Sequence, residues 1–246
     1  LSVGSNIAVT GLLMAIMMKN WGVGVLPTLI VSLIFAGLIG LINGALIAFL
    51  NLPPFIATLG MMKILRSVTQ QVMQTAAVKV PSSFLAISNT KIGGEVILPI
   101  LYWLVAAVIL HIVSRYTPFG RHVYAVGSNE RTARLSGVNV ERVKGLIYVL
   151  MGALVAVTAV IQVSRIGSMD YANAGSGYEM DAIAAVVIGG TSMKGGEGSM
   201  VGTLIGIFII GVIANGLNLL GVAQGPQRMV KGLIIVVAVI IDVLRR

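Results

Sequence analysis

"IVSLIFAGLIGLINGALIAFL" (30–50) is apolar on every side of a helix and carries no charge. At roughly 20 residues it is long enough to cross the hydrocarbon core of a bilayer. It lacks the strict two-residue alternation over segments of about ten residues that an outer-membrane barrel strand shows. It therefore reads as a membrane-spanning α-helix, and the whole chain agrees. Of 246 residues 57% are apolar and only 10% charged, with a mean hydropathy of +0.99, whereas a soluble domain carries about a quarter charged residues.

Working outward, apolar stretches predict spanning helices near 2–19, 28–50, 55–74, 97–115, 142–164, 199–220 and 226–244, with a shorter helix near 177–191. The expectation is an all-α integral membrane protein, a polytopic helical bundle of about eight membrane helices forming a single domain over 1–246. The first helix is lean in bulky residues. "TAAVKVPSSFLAISNTKIGGEV" (75–96) mixes Pro, Gly, Ser and Lys and predicts an ordered extramembrane loop. Leu1 is neither an initiator Met nor part of a signal peptide, so the sequence is expected to begin inside a longer chain.

The net charge of +9 does not point to nucleic acid, because the basic residues flank spanning segments as the positive-inside bias requires. The chain has no cysteine, which excludes disulfides, thiol catalysis and Cys-based metal sites. Arg115, Arg121, Arg131, Arg134, Arg142 and Lys144 lie in one interhelical segment, and Arg245 and Arg246 end the chain. Both groups are expected on the cytoplasmic side. That requires 177–191, about 22 Å long as a helix, to cross or nearly cross the membrane. Ser176 and Glu179 form a capping-box pattern at its start, with Glu179 and Asp181 complementing the helix dipole. Its other end runs into "GGTSMKGGEG" (189–198), whose glycines let the chain turn and re-enter.

"GLIGLINGAL" (37–46) is loosely echoed by "GVIANGLNLL" (211–220), each with Asn-Gly late in a long apolar helix. The crossing count gives these two helices opposite directions, so inverted repeats are expected, an arrangement that places a substrate route where the halves meet. Gly40 with Gly44 and Gly202 with Gly206 have the spacing that lets helices approach closely, and Gly37 belongs with them.

"VGSNERTARLSGVNVERVK" (126–144) concentrates the scarce charge. Ser128 or Asn129 can cap a helix, Gly137 can end it in the left-handed conformation, and Asn139 can cap the next. Glu130 and Arg134 are spaced i,i+4 in the favourable order. Two readings stand: a solvated loop obeying the charge bias, or a rigid helix of about two turns that docks into a groove on a cytosolic partner.

"GSNERTARLSGVNVERVK" (127–144), "YEMDAIAAVVIGGTSMKGGEGSMVGTLIG" (178–206), "NGLNLLGV" (215–222), "FIATLGMM" (55–62) and "LSVG" (1–4) closely resemble the permease subunit of ribose-type sugar ABC importers. The resemblance covers essentially the whole chain. It implies a dimer of permeases of about ten helices, with about two helices upstream of "LSVG", in the bacterial inner membrane. It also implies a cytosolic ATP-binding subunit and an extracytoplasmic sugar-binding protein. By this resemblance Asn129, Glu130, Arg131, Thr132, Ala133, Arg134, Leu135, Ser136 and Gly137 form the coupling helix that docks on the ATPase.

No catalytic residue is expected in this chain, since the Walker A pattern is missing from "GGTSMKGGEGS" and hydrolysis falls to another chain. No cofactor is expected either. His111 and His122 have no carboxylate at helical spacing, so no metal site is expected; His111 reads as a near-interface residue and His122 as part of the basic loop. A route for neutral, hydroxyl-rich sugar needs amides and hydroxyls, and the candidates are Asn6, Thr10, Asn43, Thr58, Gln162, Asn215 and Asn218. Interhelical hydrogen bonding is the competing role for each. Lys63 and Arg66 either snorkel to the cytoplasmic interface, the preferred reading, or line an aqueous cavity. Arg165, Asp170, Glu179 and Asp181 fall on the outer side, as contacts for the binding protein or as solvated caps.

The expected function is thus a transmembrane importer subunit for a monosaccharide, ribose-like by resemblance. Other cargoes of the same importer type remain open: an autoinducer furanone, a nucleoside or a branched-chain amino acid. An ion-coupled secondary carrier would need a membrane-embedded carboxylate, and Asp242, near the cytoplasmic end, is the only acid inside a long span. A structural scaffold would leave the docking segment without a task.

Overall fold

The computed structural model describes residues 1–73, 78–92, 96–169 and 174–244. Asp170, Arg245, Arg246 and the side chain of Asp242 lie outside the described residues. The helices are α1 (Val3–Lys19), α2 (Val25–Ala48), α3 (Pro54–Met73), α4 (Ser82–Asn89), α5 (Leu98–Tyr116), α6 (Pro118–Ser128), α7 (Glu130–Leu135), α8 (Val140–Ile166), α9 (Tyr178–Ile188), α10 (Met200–Leu219) and α11 (Gln224–Leu244). Each of the predicted helical segments is present. Four of them, α2, α5, α8 and α10, are long and apolar enough to span a bilayer, with mean hydropathies of 2.6, 1.8, 2.4 and 2.2. The protein is therefore an all-α, multi-pass membrane protein.

Short strands β1 (Val78–Lys79) and β4 (Ser168–Met169) pair antiparallel, Val78 opposite Met169, and β2 (Lys91–Ile92) pairs with β3 (Val96–Ile97). The segment expected as an ordered loop after α3 thus carries β1, α4 and β2, and β3 begins at its last residue. Phe84 of α4 is fully buried in the main core, and the Ser88 hydroxyl bonds that of Ser164 on α8.

The chain forms two compact units, Leu1–Leu104 with Glu141–Glu179 and Val105–Val140 with Met180–Arg246. In the first, α1 is the central element and is buried along nearly its whole length. Small residues, Gly4, Ser5, Ala8, Gly11 and Ala15, let its neighbours approach, while Ile7, Leu12, Met14 and Met18 fill the space against Met73, Val155, Val163 and Met169. The expected close approach of α2 is present. A Cβ on Gly40 would overlap the Tyr148 carbonyl of α8, one on Gly152 would overlap the Ala36 carbonyl, and one on Gly44 would lie 3.1 Å from the Gly145 Cα.

In the second unit α9 packs on α10 in the same manner. Added Cβ atoms on Gly202 and Gly206 would overlap the carbonyls of Gly189 and Ala185. Ala184, Ala185 and Ile210 form its small core, covered by Ile188, Ile234 and Ile235.

Several local expectations need correction. The helix expected near 177–191 starts at Tyr178 and has 11 residues, about 16 Å. Gly177, at φ 82°, takes the place before it, so Ser176 is one residue too early to cap. His122 and Arg121 lie on α6, not in a loop. The Arg66 guanidinium donates to the Ala174 carbonyl at 2.8 Å, beyond the C-terminal end of α8, whereas the basic segment leads into its N-terminal end, so Arg66 does not snorkel toward that segment. Lys63 is exposed.

Because the α9–α10 contact is backbone on backbone, Gly206→Val should lower stability by about 1–3 kcal/mol through overpacking. Thermal unfolding in detergent checks this, and a melting temperature equal to that of the parent would show that the contact is not a tight one.

Candidate functional site

The charged segment is built in two steps. Thr117 caps α6, its hydroxyl oxygen accepting from the Gly120 amide at 3.2 Å, with Pro118 at the first helical position. At Asn129 the backbone turns extended (φ −155°, ψ 104°). The Asn129 Oδ1 accepts the Thr132 amide at 3.0 Å and starts α7. α7 closes on Gly137 at φ 84°, with Gly137 N–H donating to the Arg134 carbonyl and Val138 N–H to that of Ala133, at 3.0 and 3.1 Å. These two bonds are a Schellman motif. Cap and terminator are therefore where the sequence placed them, and α7 has 6 residues.

Glu130 and Arg134 form the predicted pair at 3.8 Å, both about half exposed, so it stabilises α7 by a few tenths of a kcal/mol at most. Ala133 is buried beneath the helix, while Leu135 stands 82% exposed beside Arg131 and Arg134. The segment is thus a folded helix that carries an exposed apolar side chain beside its cations.

The sequence did not reveal what holds this segment. Gly195 and Gly196, at φ 91° and 79°, bring the turn between α9 and α10 against the backbone of Gly127 and Ser128. A Cβ on Gly196 would stand 2.7 Å from the Ser128 Cα. The Tyr124 hydroxyl donates to the Gly198 carbonyl at 3.2 Å. The sole available signal was the density of glycine in 189–198, which explains turning equally well.

Five of the polar candidates lie in the first unit. Asn6 and Thr10 are buried, and the Thr10 hydroxyl donates to Asn6 Oδ1 at 3.0 Å. Thr58 donates back to the Pro54 carbonyl at 2.8 Å. Asn43 donates through Nδ2 to Ser2 Oγ at 3.1 Å, but its Oδ1 is buried with no partner. Gln162 Oε1 is likewise buried and unpartnered. Glu179 Oε2 is a third such atom, packed against Gly4, where α1 begins beside Gly175. Glu179 is thus not a solvated cap. Asp181 is also engaged within the fold, in an ion pair with Lys231 at 2.8 Å. Arg165 is exposed.

In the second unit Asn215 and Asn218 are exposed, and Asn218 Oδ1 accepts from Gln227 Nε2 at 2.8 Å. The two Asn-Gly pairs differ in setting: Gly44 packs on α8, whereas Gly216 has open space where a Cβ would stand. The described residues hold no group of metal-ligating side chains.

The comparisons with known proteins decide the family. Residues 1–239 match the family described as the permease component of the branched-chain amino acid transport system. The chain belongs to that family. It is 41% identical to the ribose import permease protein of Escherichia coli K12 over 98% of this chain and 76% of that protein. It is 42% identical to the ribose import permease protein of Bacillus subtilis 168 over 98% and 75%. The galactose/methyl galactoside import permease protein of Escherichia coli K12 is 37% identical over 89% and 68%. No solved structure matches. The resemblance read from the motifs is borne out, and the chain is a transport component whose import system also uses ATP-binding and substrate-binding partners.

If Asn129 holds α7 in place, Asn129→Ala should cost that helix about 1 kcal/mol. Amide hydrogen exchange over 130–135 should speed up about fivefold in consequence. Unchanged exchange would show that the surrounding packing alone fixes the segment.

Proposed function

We propose that this permease forms half of the pathway by which a monosaccharide, ribose-like in its relatives' names, enters a bacterial cell through the inner membrane. An extracytoplasmic binding protein delivers the sugar, and a cytosolic ATP-binding subunit hydrolyses ATP. A second permease copy, identical or related, completes the pathway. The observation that carries the cargo class is the set of buried side-chain atoms without partners among the described residues: Asn43 Oδ1, Gln162 Oε1 and Glu179 Oε2. All of them are acceptors, and a sugar arrives with hydroxyl donors. Neutral cargo rich in O–H groups is the complement of such an interior.

In this reading Asn6, Thr10, Asn43, Thr58, Gln162, Asn215 and Asn218 border the route. The segment Asn129–Gly137 is the handle on which the ATP-binding subunit pulls, with Leu135 as its apolar anchor and Arg131 and Arg134 facing acidic groups of the partner. Both units belong to one permease domain of about eight membrane helices in this chain, and 127–144 is its cytoplasmic segment.

The family's description favours one other cargo, a branched-chain amino acid. Its charged ends would need a fixed cation along the route. Arg66, bonded to Ala174, is the residue placed to supply one. An ion-coupled carrier would use Glu179 as its carboxylate, and would transport without ATP.

Replacing both arginines of the handle, Arg131→Glu with Arg134→Glu, should reduce capture of the cognate ATP-binding subunit from detergent extract at least tenfold while the permease stays folded. Undiminished capture together with undiminished vesicle uptake would end the docking assignment. Gln162→Met separates route from packing. Removing an unpartnered buried acceptor leaves stability equal or higher, yet ribose uptake into vesicles should drop several-fold. Full uptake by a folded variant would remove Gln162 from the route.

A further inference from the structure

The second unit holds a cleft of about 290 Å³ lined by His111, Ser114, Arg115, Arg121, Tyr124 and the start of α10. Arg115 sits in the last turn of α5, where that span ends, and Arg121 in the first turn of α6. The corner between them is rigid. Thr117 Oγ1 donates to the Val113 carbonyl at 2.6 Å and accepts from the Gly120 amide at 3.2 Å. A Cβ on Gly120 would overlap the Ser114 carbonyl. The two arginines are therefore held on either side of one elbow.

The opposite wall is the start of α10. Tyr124 ties it in through the Gly198 carbonyl at 3.2 Å. Ser199 Oγ accepts only the Gly202 amide, at 3.2 Å, which leaves the Met200 amide among the donors that a helix start cannot satisfy internally. Two guanidinium groups, an imidazole, a hydroxyl and a helix start thus converge, and no carboxylate lines the cleft. Glu197, the nearest acid in sequence, is not among the lining residues. Among the described residues neither Arg115 nor Arg121 forms an ion pair. A ligand that satisfies this set carries negative charge on several oxygens, as a phosphate does.

Depth selects the source of the phosphate. The cleft lies at the end of a 19-residue span, the level at which lipid headgroups sit. The faces leading away from it are apolar and exposed: Val108, Ile109 and Ile112 on α5, and Val201 and Ile205 on α10. Acyl chains fit along such faces, and a soluble anion has no use for them. We propose that this cleft binds the phosphate headgroup of an anionic membrane lipid, clamped between Arg115 and Arg121 against the start of α10. The assignment depends on membrane embedding alone and is independent of the cargo and of the ATP-binding partner.

The test is native mass spectrometry of the full-length protein in its native assembly, released from nanodiscs of phosphatidylcholine doped with phosphatidylglycerol. Retained phosphatidylglycerol is the readout. Arg115→Gln with Arg121→Gln should lower its retention roughly 30-fold, while Lys19→Gln with Lys194→Gln, which removes equal charge outside the cleft, should leave it unchanged. Arg115→Lys with Arg121→Lys, which keeps the charge, should restore most of the retention and shows that loss in the Gln pair is not misfolding. Equal loss in the control pair would overturn the site. Displacement of the lipid by millimolar inorganic phosphate would overturn the lipid as its occupant and leave a soluble-anion site instead.

Discussion

The protein depends on backbones touching backbones. At Gly40 and Gly152 between α2 and α8, at Gly202 and Gly206 between α10 and the end of α9, and at Gly4 and Gly175 beside α1, a single added carbon would collide with a carbonyl group. Lipid tails are as apolar as leucine, so burying large side chains offers helices little reason to associate in a bilayer. Close approach, with its dispersion contacts and weak Cα–H···O interactions, takes over that role. The distribution of residues follows. Ala, Ser, Thr and Gly line the closest helix contacts, while Leu26, Ile34, Ile109, Val212 and Leu233 stand outward with half or more of their surface exposed.

Such tight packing decides how polar groups are accommodated. Hydroxyls bond back to the carbonyl one turn earlier, as Ser32 does to Thr28, Thr69 to Leu65 and Ser164 to Val160. They need no partner from another helix and cost the interior little. Amide and carboxyl side chains cannot fold back in this manner. Among the described residues, Asn43, Gln162 and Glu179 have oxygens that stay buried and open, and buried acceptors without partners are expensive unless something arrives to use them.

What the sequence made legible were the features that a chain settles locally. Apolar length located every long helix, and the Asn129 cap, the Glu130–Arg134 pair and the Gly137 terminator stood where spacing placed them. What escaped were features set by distant contacts. Glu179 looked like a solvated cap because its position in α9 suits one, but its burial comes from Gly4, far away in the chain. Arg66 looked free to snorkel until Ala174 met it. The helix α6 is a different case, since Thr117 followed by Pro118 is a readable start.

Stiffness is the property that the charged segment most needs if it is to pass on a displacement. A helix of 6 residues has no stability of its own, because nucleation costs more than so few hydrogen bonds return. Each source of its order must then be external to its length. Asn129 fixes one end, the Gly137 turn the other, and buried Ala133 pins the middle. Behind Asn129 stands α6, whose last residues meet the Gly195–Gly196 turn with no side chain between them. The segment that leads into α7 therefore meets the turn between α9 and α10 backbone on backbone. Those glycines serve close contact as well as turning: a larger residue would have to move away from Ser128, and α7 would lose the support behind its cap.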